Sequence, residues 1–197
     1  MKNDTKGFTL IELLVVIAIV GLLSTMATVA ARYAIDKAKI AKAQQAVDTI
    51  YNAITMLGND TNEWPHHQTV STVAAATDHY EICGTDADLP SQSCGTDTID
   101  SGLAGITQND SATPFHSWAG PYMANIALDP WGHQYFFDTN YYINTDNEPC
   151  GKDGDAVCHP VVAVGSYGPD GLGSAKLSSS GDNAGGYDDV IKVISFN

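Results

Sequence analysis

Basic side chains are scarce along most of this chain. Of its nine lysines and arginines, only Lys152, Lys176 and Lys192 lie beyond residue 42. Twenty of the 23 acidic residues fall in that same part, so three cations against 20 acids give residues 43–197 a formal charge of −17. Such a surface repels nucleic acid and anionic lipid and attracts cations. The signatures of common chemistries are missing as well. There is no G-x-S-x-G elbow, no Walker loop and no dinucleotide fingerprint. The histidines (His66, His67, His79, His116, His133, His159) form no H-E-x-x-H pattern. Asp146-Asn147 and Asp153-Gly154-Asp155 lack EF-hand spacing. Serine and aspartate are plentiful, but nothing sets a nucleophile beside a base, so catalysis is not expected.

Charge and proline are also nearly absent from Phe8 to Ala31, where Glu12 is the one ionisable residue and no proline occurs. As a helix these residues span ~36 Å, enough to cross a bilayer core of ~30 Å. A secretory signal would have a shorter apolar run with a small-residue cleavage site behind it. Here the small residue, Gly7, stands in front, after the polar leader MKNDTK. Cleavage between Gly7 and Phe8 would remove residues 1–7 and keep the helix.

No C-x2-C step links the four cysteines, which argues against a zinc site. They form two local pairs, C-x10-C and C-x7-C. Behind an export element two disulfides are expected. Three connectivities are open; local pairing, Cys83–Cys94 and Cys150–Cys158, closes the shorter loops.

The string Lys6-Gly7-Phe8-Thr9-Leu10-Ile11-Glu12 resembles the class III signal of type IV pilins and pseudopilins. That resemblance implies cleavage after Gly7 by a membrane-embedded prepilin peptidase, which also N-methylates Phe8. It further implies that Glu12, at the fifth mature position, neutralises the N-terminal amine of a neighbouring subunit during assembly. A carboxylate inside a membrane helix costs a few kcal/mol and is normally paired or functional. The family often carries a proline midway along the apolar half. Val29 stands near that position, so a kink there is not expected.

Beyond the membrane segment 8–31, residues 32–58 read as an amphipathic continuation of the helix. Val47, Ile50, Ile54 and Leu57 follow helical spacing, and Gly58-Asn59-Asp60 reads as a stop. The helix from Phe8 to about Leu57 would be ~75 Å long. Residues 59–197 then form a head. Asn62-Glu63-Trp64-Pro65 is similar to a step that follows the long helix in major pseudopilins. Residues 66–112 look loop-like, with a short helix at Val73–Thr77. Asp129-Pro130-Trp131-Gly132 is a turn. Gln134–Thr139, Tyr141–Asn144, Val161–Val164 and Val190–Phe196 read as strands. The predicted class is α+β, a long N-terminal helix on a small antiparallel sheet with a C-terminal Gly/Asp-rich loop.

That loop supplies Asp170, Asp182, Asp188 and Asp189 among glycines. Calcium wants six to eight oxygens from carboxylates and backbone carbonyls on tightly curled chain. A solvated acidic loop has the same composition. The resemblance tips the reading toward calcium, since Ser166, Gly168, Asp170 and Gly171 match the start of the calcium loop of major pseudopilins. It assigns Asp170 and the Tyr167 carbonyl as first ligands, then Asp182 and Asp188, with Asp189 a weaker candidate. An insertion around Gly173–Gly181 separates the two halves.

The resemblance implies a non-enzymatic subunit held in the bacterial inner membrane by a single span, with its head in the periplasm or outside. It polymerises with copies of itself and with minor pseudopilins on an inner-membrane assembly platform. The major pseudopilin of type II secretion fits best. A type IV pilus subunit for adhesion, motility or DNA uptake is the first alternative. A membrane-anchored, cation-dependent binding protein that does not polymerise is the second.

Overall fold

A computed structural model describes residues 8–70, 81–82, 98–143, 159–169, 171 and 189–196. The expected helix at Val73–Thr77, and all four cysteines with their proposed pairing, lie outside the described residues. The chain divides into two compact units, Met1–Lys39 and Ile40–Asn197.

The first unit is the N-terminal part of one helix, α1 (Leu10–Thr61). Its large apolar side chains face outward all round; Leu10 is 83%, Ile17 66% and Leu22 64% exposed. A helix apolar on every side needs lipid or other helices around it. The stretch is long and apolar enough to cross a membrane.

The second unit is α+β. From Ile40 on, α1 buries Ala43, Val47, Ile50, Ile54 and Leu57 at 2% exposure or less. Steps of three and four residues place these side chains on one face. Fully burying each of the larger ones stabilises the fold by about 1.5–3 kcal/mol. The helix does not stop at Leu57. It runs through Gly58-Asn59-Asp60 because Thr61 Oγ1 donates to the Leu57 carbonyl at 2.8 Å and accepts the Glu63 N–H at 3.1 Å. Asn62, at φ 59°, then turns the chain out of the helix, its N–H on the Gly58 carbonyl at 2.9 Å.

A two-residue ladder follows, β1 (Glu63–Trp64) with β2 (Gln68–Thr69). The main sheet has four antiparallel strands in the order β3 (Glu81–Ile82), β4 (Tyr135–Ile143), β5 (His159–Ser166) and β6 (Val190–Phe196). The two short strands expected at Gln134–Thr139 and Tyr141–Asn144 are one strand with a register shift between Asp138 and Tyr141. That irregularity has a packing consequence. Tyr135 and Phe137 join the helix-facing core with Val162, Val164 and Val190. Past the shift, Tyr141 and Ile143 lie with Phe136, Val161 and Ala163 in a second cluster. Without it, the period of two would put Tyr141 and Ile143 on the face of Phe137. Lys192 on β6 ties sheet to helix, its Nζ 2.5 Å from Asp48 and 4.6 Å from the Tyr51 ring centroid.

The turn after α1 is pinned to residues 98–123. Tyr122 donates to Asp60 at 2.9 Å. The His67 ring stacks on Phe115 at 3.8 Å, with Glu63 2.5 Å from Nδ1 and Asp110 3.6 Å from Nε2. The N–H of Ala112, donating at 2.8 Å, holds the Asp110 carboxyl below the usual carboxylate range; burial opposes it, and Thr113 and His67 assist. A depressed folded pKa stabilises the fold above the ordinary carboxyl value of about 3.9 and loses that contribution as pH falls through the folded value. Asp110→Asn is therefore expected to melt lower than the unaltered chain at neutral pH. The gap should close on acidification below about pH 4. Thermal melts across a pH series check this; a gap that is constant with pH would refute it.

Candidate functional site

At the N-terminal end, Gly7 lies outside the described residues and Phe8 is 83% exposed. Glu12 sits in the first turn of α1. Its Oε2 accepts the Thr9 N–H at 2.8 Å and the Thr9 hydroxyl at 2.7 Å, while the Glu12 N–H lies 3.3 Å from Thr9 Oγ1. This is a capping box, in which Thr9 and Glu12 satisfy each other's backbone donors. Thr9 was not singled out from sequence, although the T-x-x-E spacing ahead of an apolar run signals this arrangement.

At the other end, the Gly/Asp loop joins β5 to β6. Ser166 pairs with Val190 as the last rung of that ladder, so Tyr167 and Asp189 are the first residues past it on either side. Tyr167 is buried and stacks on Phe136 at 4.6 Å. Asp189 accepts the Tyr141 hydroxyl at 2.7 Å. Gly168 and Gly171 have φ of 66° and 68°, the left-handed backbone that a tight inward curl requires. Two candidate oxygen donors therefore flank the closed neck of the loop. Asp170, Asp182 and Asp188 lie outside the described residues. Among the described residues no group of three or more His, Cys, Asp or Glu is placed to hold a metal. The oxygen donors named are hard ligands of the kind calcium takes.

The neck is held by the turn at residues 129–133. Asp129 has a fully buried side chain. Its Oδ1 accepts the N–H groups of Trp131, Gly132 and His133 at 2.8–2.9 Å. Its Oδ2 accepts the Ser166 hydroxyl at 2.5 Å. Ser166 Oγ in turn accepts the Gly168 N–H at 3.1 Å. His133 Nδ1 lies 3.1 Å from the Gly168 carbonyl, an acceptor, which makes Nδ1 the protonated donor. The same nitrogen is 3.8 Å from Asp129 Oδ2. The His133 ring also covers Gly171, where a Cβ would stand 2.7 Å from Nε2. Both backbone polar groups of Gly168 are thus tied to the turn. Burial, with the Asp129 charge adding to it, pushes the Tyr135 phenol up to about 12. Sequence reasoning found the turn but neither its buried carboxylate partner Ser166 nor the role of His133. Those contacts join residues 35 and 37 positions apart and have no local signal.

Comparisons with known proteins match stretches that include both ends. The family described as the prokaryotic N-terminal methylation motif matches residues 2–28. The family described as type II secretion system protein G matches residues 95–176, which contain the 129–133 turn and the entry to the loop. A fimbrial protein of Neisseria meningitidis serogroup A is 40% identical over 78 residues, 40% of this chain and 46% of the relative. A type IV major pilin protein of Neisseria gonorrhoeae is 37% identical over 75 residues, 38% of this chain and 46% of the relative. The chain thus spans about half the length of the curated relatives it matches. No solved structure matches it.

Proposed function

We propose that this chain belongs to the type IV pilin and pseudopilin family and is the major pseudopilin of a type II secretion system. The matched families are structural subunits, not enzymes. The observation that carries the reading is the protein G match over residues 95–176, which takes in the Asp129 turn and the neck of the Gly/Asp loop. After removal of residues 1–7 and methylation of Phe8 by prepilin peptidase, the outward-facing apolar helix would leave the membrane for a fibre of like helices. Copies of the chain, minor pseudopilins and the inner-membrane platform are its partners. The pilin relatives support a second reading, a subunit of a type IV pilus. Deleting the gene separates them. Loss of folded exoproteins from the medium, with surface pili and motility retained, is the expected result. Intact secretion with loss of pili would overturn it. Secretion and pili both unchanged by the deletion would favour an anchored binding protein that does not polymerise.

Calcium belongs to the same reading. Asp170 and the Tyr167 carbonyl would hold it from one arm of the loop, with Asp182, Asp188 and less directly Asp189 from the other. Bound calcium would close the charged loop against the sheet and stiffen a surface offered to the next subunit. A ligand at a hundred times its Kd stabilises the folded state by about 2.7 kcal/mol. Millimolar calcium is therefore expected to raise the melting temperature by about 5 °C or more, and chelation to reverse it. An unchanged melting curve would count against the site.

A further inference from the structure

We infer that Arg32, Lys37 and Lys39 form a cationic collar on α1 that binds the phosphate headgroups of anionic lipid around the end of the membrane span. The inference rests on the membrane reading of the helix and goes beyond the fibre assignment. Four of the chain's nine basic residues, Arg32, Lys37, Lys39 and Lys42, fall within residues 32–42, against one acid, Asp36. The first three belong to the N-terminal unit. Arg32 and Lys37 are exposed and Lys39 is half-buried. Among the described residues none of the three is in an ion pair. The apolar run ends at Ala31, so Arg32 is the first charged position after it. Tyr33 stands next, where interfacial aromatics gather.

Helix geometry turns these side chains toward the bilayer. On any α-helix the Cα–Cβ bonds tilt toward the N-terminus. The membrane span lies on that side of residues 32–39, so their long stems lean back along it and carry the charged ends to the headgroup layer. Lys37 shows the direction: its Nζ lies 5.6 Å from the centroid of the Tyr33 ring, one turn nearer the span. Tyr33 and Ile35 are 66% and 57% exposed, which sets apolar surface among the cations, as at the edge of a bilayer. At 3.6 residues per turn, Lys37 and Lys39 stand on nearly opposite sides of the helix. A groove on another protein would meet the cations of one side only, whereas lipid surrounds the helix and meets all three. Their charge is opposite in sign to that of residues 43–197, so the chain would meet an anionic surface by this segment and not by its head.

The test is the lipid selectivity of the full chain reconstituted in phosphatidylcholine vesicles. It is read by electron spin resonance from a trace of spin-labelled phosphatidylglycerol or spin-labelled phosphatidylcholine. All chains carry Lys2→Gln and Lys6→Gln, which removes the leader's cations from the comparison. The chain with an intact collar is expected to hold labelled phosphatidylglycerol about fivefold more strongly than labelled phosphatidylcholine, the effect of one basic residue beside each lipid. Molar salt should remove the preference. Arg32→Gln, Lys37→Gln and Lys39→Gln combined should remove it too, and Asp36→Asn should raise it. A preference that survives the triple change would overturn the inference. So would equal retention of the two lipids by the intact collar. If salt-sensitive dimers of that chain then vanish with the triple change, the collar takes the acidic head of a second copy instead. No motionally restricted lipid of either kind would overturn the membrane reading, and this inference with it.

Discussion

Asp129→Ala is expected to lower the melting temperature of the head by about 10 °C. The carboxylate is buried and has four donors: the N–H groups of Trp131, Gly132 and His133 and the Ser166 hydroxyl. Hydrogen bonds to a charged group contribute about 1.5–3 kcal/mol each before the cost of desolvating it. That cost is large for a buried carboxylate, so the four do not simply add. Removal has its own penalty. Ser166 is 0% exposed, and its hydroxyl would lose its acceptor where water cannot replace it. The turn N–H groups lie nearer the surface and can be rehydrated in part. Together these give about 3 kcal/mol, and a domain of this size shifts by about 2–4 °C per kcal/mol. Asp129→Asn keeps an oxygen for the three turn donors. It should lose no more than about a third of that, which separates the shape of the acceptor from its charge. Calorimetric melts of both variants decide the matter. An alanine variant within 2 °C or so of the unaltered chain would show that the turn stands without its carboxylate.

How much of this was legible beforehand follows from range along the chain. The buried face of α1 was readable because Val47, Ile50, Ile54 and Leu57 obey a local period, and the structure buries all four. The strand at Val190–Phe196 and the turn at Asp129–Gly132 were readable for the same reason. The helix end is not legible at Gly58-Asn59-Asp60, because that string is a stop signal only if nothing downstream supports another turn. Thr61 and Asn62 supply that support. The continuous β4 was read as two pieces, since an irregularity near Asn140 breaks the alternation that identifies a strand. The edge strand β3 has two residues and went unseen, because its partners Phe137 and Asp138 lie more than 50 positions away. At the candidate site the composition named the acidic loop. Only the fold shows that Ser166 and His133 hold its neck, because nothing near either residue in sequence requires Asp129.

The largest functional effect is expected from Glu12→Gln, which should abolish fibres while leaving the single chain intact. In the isolated chain one carboxylate oxygen of Glu12 accepts both Thr9 donors. A glutamine amide oxygen can accept the same two, so the helix start and cleavage at the proposed Gly7–Phe8 bond should be preserved. What glutamine cannot do is balance a charged amine. If Glu12 neutralises the amino terminus of a neighbour, two unit charges about 4 Å apart interact by about 4 kcal/mol at an effective dielectric constant near 20. Losing that from every contact weakens each addition by about a thousandfold. Glu12→Ala loses this term and the cap as well, worth about a further 1 kcal/mol. The readout is sheared fibre counted by electron microscopy from cells that also make the peptidase, with cleaved subunit measured alongside. Cleaved Glu12→Gln without fibres is the expected result. Fibres from glutamine but not from alanine would assign Glu12 to the cap it makes with Thr9, and the charge would then play no part in assembly. Fibres from both would remove Glu12 from assembly altogether. The outward-facing apolar side chains of the helix would then carry subunit packing without a charge pair.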